Sequence, residues 1–347
     1  MTKPLSVAFA VLLLLFPIVI AEAGTRVLIG TGRLPLAPAG DRLAEIGLAN
    51  LERRGRPDIL IVGTSSIRNA IKPDVLEALA REATGRDVAV QGIAQSAISL
   101  KAQRLLVKGL ALRGLLPDVV LLGVSSISLS GDHQDGDWLL RSELGRLWNG
   151  CDPSLDLEAT MACWLGQVSA LWRWHGRPDR LVDAVRKGMP ATAREGDRHL
   201  QEDGWVSQKP ASRRALRRML PAALGRLMER ISVPAAIAID YADLINELRS
   251  HGVTVVTVGL PYSAMLEDAL VARNPTWKQE RSAGYDLFEQ VARTEIIEVD
   301  GYGDWWEPGS HYDLRHLSRE GAGPFTRQLW DMPAFRDAVL AGLAEEA

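Results

Sequence analysis

The sequence predicts an α/β fold, a flavodoxin-like, doubly wound parallel sheet of about five strands. Three observations predict it. Short continuous apolar runs alternate with stretches of helical spacing. The runs are apolar throughout rather than at every second residue, as in strands covered on both faces. Gly and Pro bound the clearest of them. The rhythm is interrupted once, from about 132 to 235, which reads as a mostly helical insertion between strands three and four.

The elements follow in order. Asp58–Val62 is a short apolar run and the first strand. Pro73–Glu82 carries Val75, Leu76, Leu79 and Ala80 at helical spacing. Asp87–Gln91 is strand-like, and Ser99–Leu115 reads as a helix. Asp118–Gly123 is a third strand, held between Pro117 and Gly123. After the insertion, Tyr241–Ser250 is an amphipathic helix ended by His251-Gly252. Val253–Val258 is β-branched, and Gly259-Leu-Pro261 stops it. Ala283–Thr294 is helical and Ile296–Val299 is the fifth strand. Ser318–Leu343 is helical, with interruptions expected at Pro324 and Pro333. In such a sheet the ligand site lies at the carboxyl ends of the strands.

The N-terminus has a different character. Lys3 is the only charged side chain before an apolar run from Pro4 to Ile20, and Ala21-Glu22-Ala23 follows as an A-x-A-like cleavage site. A cleaved signal peptide and a retained membrane anchor both fit, and both place residues 25–347 outside the cytoplasm. The expected division is therefore 1–23 as signal or anchor, 24–131 with 236–347 as the α/β unit, and 132–235 as the insertion.

The insertion holds Trp138, Trp148, Trp164, Trp172, Trp174 and Trp205, with no clear strand. Core packing and a sugar-binding platform are the two uses of so many aromatics. Cys151 and Cys163 are the only cysteines. In an oxidising compartment a pair this close is expected to form a disulfide, the alternative being two buried thiols. Two cysteines without a His-rich cluster do not make a metal site. A net charge of −3 gives no general case for nucleic acid. The stretch 177–230 is nonetheless rich in Arg, including Arg213, Arg214, Arg217 and Arg218. It is either a solvated helix face or a patch for an anionic polymer or lipid headgroups.

Four chemistry-bearing pieces map to one sheet edge. Gly63-Thr64-Ser65 follows the first strand, Gly92 the second, and Gly123-Val124-Ser125 the third. Asp313-x-x-His316 follows the fifth. That last spacing lets a carboxylate on a tight turn reach the Nδ1–H of the imidazole, which is the acid and base of a nucleophilic triad. Ser65, at a helix start, would be the nucleophile. Ser66 is the neighbouring alternative, one position on and so turned away. His311 is an alternative base, read here as a loop residue.

This order and content resemble the SGNH (GDSL-like) hydrolase superfamily over residues 56–131 and 236–330. Val258-Gly-Leu-Pro-Tyr-Ser263, Tyr312-Asp-Leu-Arg-His-Leu317 and Gly321 look most like its extracytoplasmic branch of alginate-type O-acetyltransferases and the D-alanyl transfer protein. The resemblance implies Ser65 as nucleophile, His316 as base and Asp313 as its orienter. It implies an oxyanion hole from the amides of Ser65 and Gly92. Two positions depart from the pattern: Thr64 stands where many members have Asp, and Gly123-Val-Ser-Ser126 lacks the usual Asn. The Ser125 hydroxyl would take the place of that Asn as a donor.

The function implied is serine-dependent acyl transfer, by an O-acyltransferase or esterase, on envelope or secreted polysaccharide. It needs no metal or organic cofactor. The resemblance also implies a membrane-bound O-acyltransferase as partner. The missing Asn and the large insertion leave a second reading, a weakly active or inactive scaffold subunit of a polysaccharide-secretion complex.

Overall fold

The computed structural model describes residues 4–93, 98–125, 129, 137–151, 157–188, 190, 192–195, 198–228, 235–299 and 309–344. The strands are β1 (Ile59–Val62), β2 (Val90–Gly92), β3 (Val119–Val124), β4 (Ala193–Glu195), β5 (Arg198–Leu200), β6 (Val206–Ser207), β7 (Thr254–Gly259) and β8 (Ile296–Ile297). Five of them make a parallel sheet in the order β2-β1-β3-β7-β8. This is the flavodoxin-type order, with β1 and β3 side by side where the winding reverses.

The helices before the insertion are α1 (Pro4–Gly30), α2 (Arg42–Arg54), α3 (Ser65–Ala70), α4 (Pro73–Thr84) and α5 (Leu100–Leu112). Within it lie α6 (Trp138–Arg141), α7 (Glu143–Asn149), α8 (Leu157–Val168), α9 (Ala170–Trp174), α10 (Pro178–Lys187) and α11 (Arg213–Met228). After it come α12 (Ala235–Ser250), α13 (Ala264–Arg273), α14 (Trp277–Ala292), α15 (Arg319–Asp331) and α16 (Pro333–Ala344).

Why these strands read as continuous apolar runs is plain from the packing. Successive side chains point to opposite faces, and both faces are covered. Leu60, Val62, Val120, Leu122 and Val255 pack with α2, α5, α12 and α14. Ile59, Ile61, Val119, Leu121, Val256 and Val258 pack with α3, α4, α15 and α16.

Two expectations are corrected. The insertion carries strands after all: β4, β5 and β6 form a small antiparallel sheet. They are two or three residues long and partly polar, too short to leave a period in the sequence. Pro324 does not interrupt its helix, which runs unbroken from Arg319 to Asp331. The buried face of Phe325, Leu329 and Trp330 offsets the lost hydrogen bond. The break falls at Pro333, which opens α16.

Nor do the insertion's described residues assemble a core of their own. Leu139, Leu144 and Trp148 join the main cluster. Leu200 and Val206 pack on Leu43 and Ile46. Trp174 and Ala184 pack on Leu34, and Leu216 and Leu227 pack with Tyr262, Leu266 and Trp277. Trp148, Trp174 and Trp205 are buried as core, whereas Trp164 is 61% exposed.

Cys151 and Cys163 are joined, with Cα atoms 5.7 Å apart. Closing this loop is worth about 3 kcal/mol in the chain-entropy model. Alkylation and mass spectrometry of the unreduced protein should therefore find no free thiol.

The amino end is tied in by Glu22. Its carboxylate accepts the N–H groups of Ala170 and Leu171 (2.9 and 2.8 Å) and the Ser169 hydroxyl at 2.8 Å, so it caps α9. Arg26 donates to the Val168 carbonyl at 2.5 Å. Among the described residues, no helix is long and apolar enough to cross a membrane. The side chains of residues 1–12 and 14, most of the apolar run, lie outside that description.

Candidate active site

Because β1, β2, β3, β7 and β8 are parallel, their carboxyl ends share one edge. β1 ends at Val62, and the chain turns through Gly63 into α3. Gly63 has φ of +138°, a conformation that L side chains rarely adopt. Opposite it, a Cβ on Gly123 would sit 2.5 Å from the Ile67 Cβ. The two glycines thus let α3 lie directly against β3. Thr64 is the N-cap of α3, accepting the Ser66 N–H at 3.4 Å. Ser65 is therefore the first helical residue, its amide among those without an intrahelical acceptor.

His316 arrives from the far end of the chain. Residues 309–318 form a tight loop closed by a bridge between His311 and Leu317. Ser318 anchors it, its N–H on the Ser310 carbonyl and its hydroxyl on that of Gly309, both at 2.8 Å. Inside the loop, one Asp313 oxygen accepts the backbone N–H groups of Arg315 (2.7 Å) and His316 (2.9 Å). The same carboxylate lies 2.9 and 2.8 Å from His316 Nδ1. One acid therefore shapes the turn and holds the ring that the turn presents.

His316 Nε2 is 2.8 Å from Ser65 Oγ. The two residues are 251 apart in sequence. The structure thus brings Ser65, His316 and Asp313 into one continuous hydrogen-bonded chain. With Nδ1–H donated to the carboxylate, Nε2 is left to accept the Ser65 proton.

The electrostatics agree with these roles. Burial would raise the Asp313 carboxyl, but the adjoining His316 and the Arg315 N–H outweigh it and hold the group well below the usual carboxylate range. Tyr312 was not singled out by the sequence. Its ring centroid is 5.5 Å from that of His316, and its hydroxyl bonds the Asp313 and Gln208 side chains. Arg68, one turn beyond Ser65 in α3, is 5% exposed. Burial, reinforced by Arg198, lowers it to about 10. A signal for Tyr312 existed in the sequence, since it sits inside the acid–base motif. None existed for Arg68.

The oxyanion side differs from expectation. The Gly92 amide, expected to face Ser65, instead donates to the Asp203 carbonyl at 2.7 Å. The turn Gln201–Trp205, between β5 and β6, sits on the end of β2. A Cβ on Gly204 would lie 1.8 Å from the Gly92 oxygen. The small residue at 204 is thus required by the backbone at the end of β2, and a Cβ on Gly92 would in turn meet the Gly204 backbone at 3.3 Å. Ser125 is buried just past β3, and its carbonyl accepts the Leu129 N–H at 3.0 Å. Ser126, Asp304, Trp305 and Trp306 lie outside the described residues.

No family model matches the chain, and no curated protein matches it either.

Among the described residues, no group of His, Cys, Asp and Glu is placed to hold a metal ion. What the arrangement can do chemically is activate a hydroxyl for attack on an electrophilic carbon.

Proposed function

We propose that this chain is a serine-dependent acyl-transfer enzyme, an O-acyltransferase or esterase, acting outside the cytoplasm on envelope or secreted polysaccharide. One observation carries the reading: Ser65 Oγ, His316 Nε2 and the Asp313 carboxylate are linked by contacts of 2.8–2.9 Å at the strand ends. His316 takes the Ser65 proton as Oγ attacks the acyl carbonyl. The tetrahedral intermediate collapses when the imidazolium returns that proton to the leaving oxygen. His316 next deprotonates a polysaccharide hydroxyl, or water, which removes the acyl group from Ser65. The Ser65 amide is the donor best placed for the oxyanion. The acceptor class and a membrane-bound O-acyltransferase partner follow from the superfamily resemblance. The modest net charge argues against nucleic acid.

The Gly92–Asp203 bond favours the second reading, a scaffold subunit in which the serine site is idle. A serine-reactive phosphonate separates the two. The enzyme becomes labelled on the peptide containing Ser65, and the Ser65→Ala variant does not. A folded wild-type protein that stays unlabelled favours the scaffold.

Placement at a membrane surface has its own support. Leu157, Met161, Trp164 and Val168 lie along one face of α8 and are 76%, 56%, 61% and 65% exposed. This face adjoins α1, through the Arg26 and Glu22 contacts, and α1 itself exposes Phe16, Val19 and Ile20. An apolar helix face with Trp on it suits the interfacial zone of a bilayer. Trp164→Glu should lower co-sedimentation with anionic vesicles several-fold and leave turnover of a soluble ester unchanged. Equal co-sedimentation would remove this support.

A further inference from the structure

One short segment of the insertion touches both halves of the triad's support. It runs from Val206 in β6 to Ala211, just before α11. At its start, the Val206 carbonyl accepts a side-chain N–H of Asn69 at 3.3 Å. Asn69 is buried and sits one turn after Ser65 in α3. At its end, Ala211 donates its N–H to the His311 carbonyl at 2.9 Å. Between them, the Gln208 carbonyl accepts the N–H of Arg319, at the start of α15, also at 2.9 Å. The segment therefore ties the helix that carries Ser65 to the loop that carries Asp313 and His316.

The Gln208 side chain continues this link into the triad. It is 4% exposed, and it bonds the Tyr312 hydroxyl, which also bonds Asp313. The donors follow from the chemistry. Asp313 is ionised, and a carboxylate only accepts, so Tyr312 gives its hydrogen bond to Asp313. The phenol oxygen is left to accept from the Gln208 amide. Burial, with the Asp313 charge behind it, raises the Tyr312 hydroxyl, which keeps its proton at pH 7. Asp313 already accepts the backbone N–H groups of Arg315 and His316 on one oxygen, Oδ1. The phenol adds a third donor, and its own place is set from outside the loop by Gln208.

We propose that Gln208 and Tyr312 are positioning residues through which the insertion holds the Asp313 carboxylate against His316. The proposal rests on the acyl-transfer reading and gives the insertion a part in it. Neither side chain acts on the reacting atoms. Both act through Asp313, which must keep its orientation as well as its charge for the imidazole proton to stay on Nδ1. The insertion is then a working part of the serine site and not an appendage to the sheet.

The test uses the full chain with Tyr312→Phe and Gln208→Leu, alone and together. Tyr312→Phe keeps the ring beside His316 and removes only the hydroxyl. It should lower kcat for a soluble ester about tenfold, the worth of one hydrogen bond to a charged group, and leave KM unchanged. Gln208→Leu should lower kcat by a smaller factor. The double variant should be no worse than Tyr312→Phe, because Gln208 acts only through the phenol. Nitrogen NMR shifts of the His316 ring, assigned with His316→Ala, report which ring nitrogen carries the proton. Tyr312→Phe should move the Nδ1 and Nε2 signals toward each other, a change that a merely structural role would not produce. Should Gln208→Leu fail to fold, Tyr312→Phe and the ring shifts decide alone. Losses that add in the double variant, or a kcat and ring shifts unmoved by Tyr312→Phe, would overturn the proposal. A wild type left unlabelled at Ser65, with ring shifts that still respond to Tyr312→Phe, would instead remove the catalytic reading and leave the positioning network standing.

Discussion

Ser65→Ala is expected to lower acyl-ester turnover by about 10³-fold or more while leaving the circular dichroism spectrum and melting temperature near those of the wild type. The hydroxyl is the only group lost, and the helix start is held by Thr64 rather than by Ser65. His316→Ala should cause a loss of the same order, since the serine is then without a base. The double variant should be no worse than either single one, because the groups act as one unit. Independent, additive losses would mean that Ser65 and His316 serve different processes.

Asp313→Asn should lower turnover on the order of 10⁴-fold, the loss expected when a triad's buried carboxylate becomes neutral. Two physical effects combine. An amide can donate to Nδ1 and so stabilise the wrong tautomer, and it no longer balances the imidazolium. Here the carboxylate also accepts two backbone N–H groups, so stability should fall as well. The sign with pH is fixed by the depressed carboxyl. Its contribution to stability is fully present above the unfolded value of about 4. It is lost as pH falls through the folded value. The stability gap between wild type and Asp313→Asn, measured by urea denaturation, should therefore be widest near neutrality and narrow below about pH 4. A gap that widens in acid would contradict the ionised state assigned to Asp313.

How much of this was readable from residues alone depends on distance along the chain. The five parallel strands were legible because burial on both faces leaves an unbroken apolar run, as in Val119–Val124. Asp313 and His316 were legible because their contact is made within one turn. Ser65 was legible from its place after β1. Its 2.8 Å contact with His316 could be inferred only through the strand order. The Gly92–Asp203 bond was not legible. It joins a strand end to the Gln201–Trp205 turn over a hundred residues away, and nothing local marks either partner. His311 was read as an ordinary loop residue. Its backbone bridge to Leu317 suits that reading, but its buried Nε2 depends on α11 and α13 closing around it. The insertion's small sheet escaped notice because its strands are held by pairing and by Leu43 and Ile46 from α2, not by a pattern of their own.

The central claim is that Ser65 carries the acyl group. The direct measurement is acid-quenched mass spectrometry of the full chain after a brief exposure to an activated acetyl ester. The account predicts one acetyl group on the peptide containing Ser65, absent from Ser65→Ala and from His316→Ala, and discharged when a hydroxyl acceptor is added. An unmodified Ser65 peptide at full ester turnover, or an acetyl group on Ser66 or another residue that survives in Ser65→Ala, would contradict it.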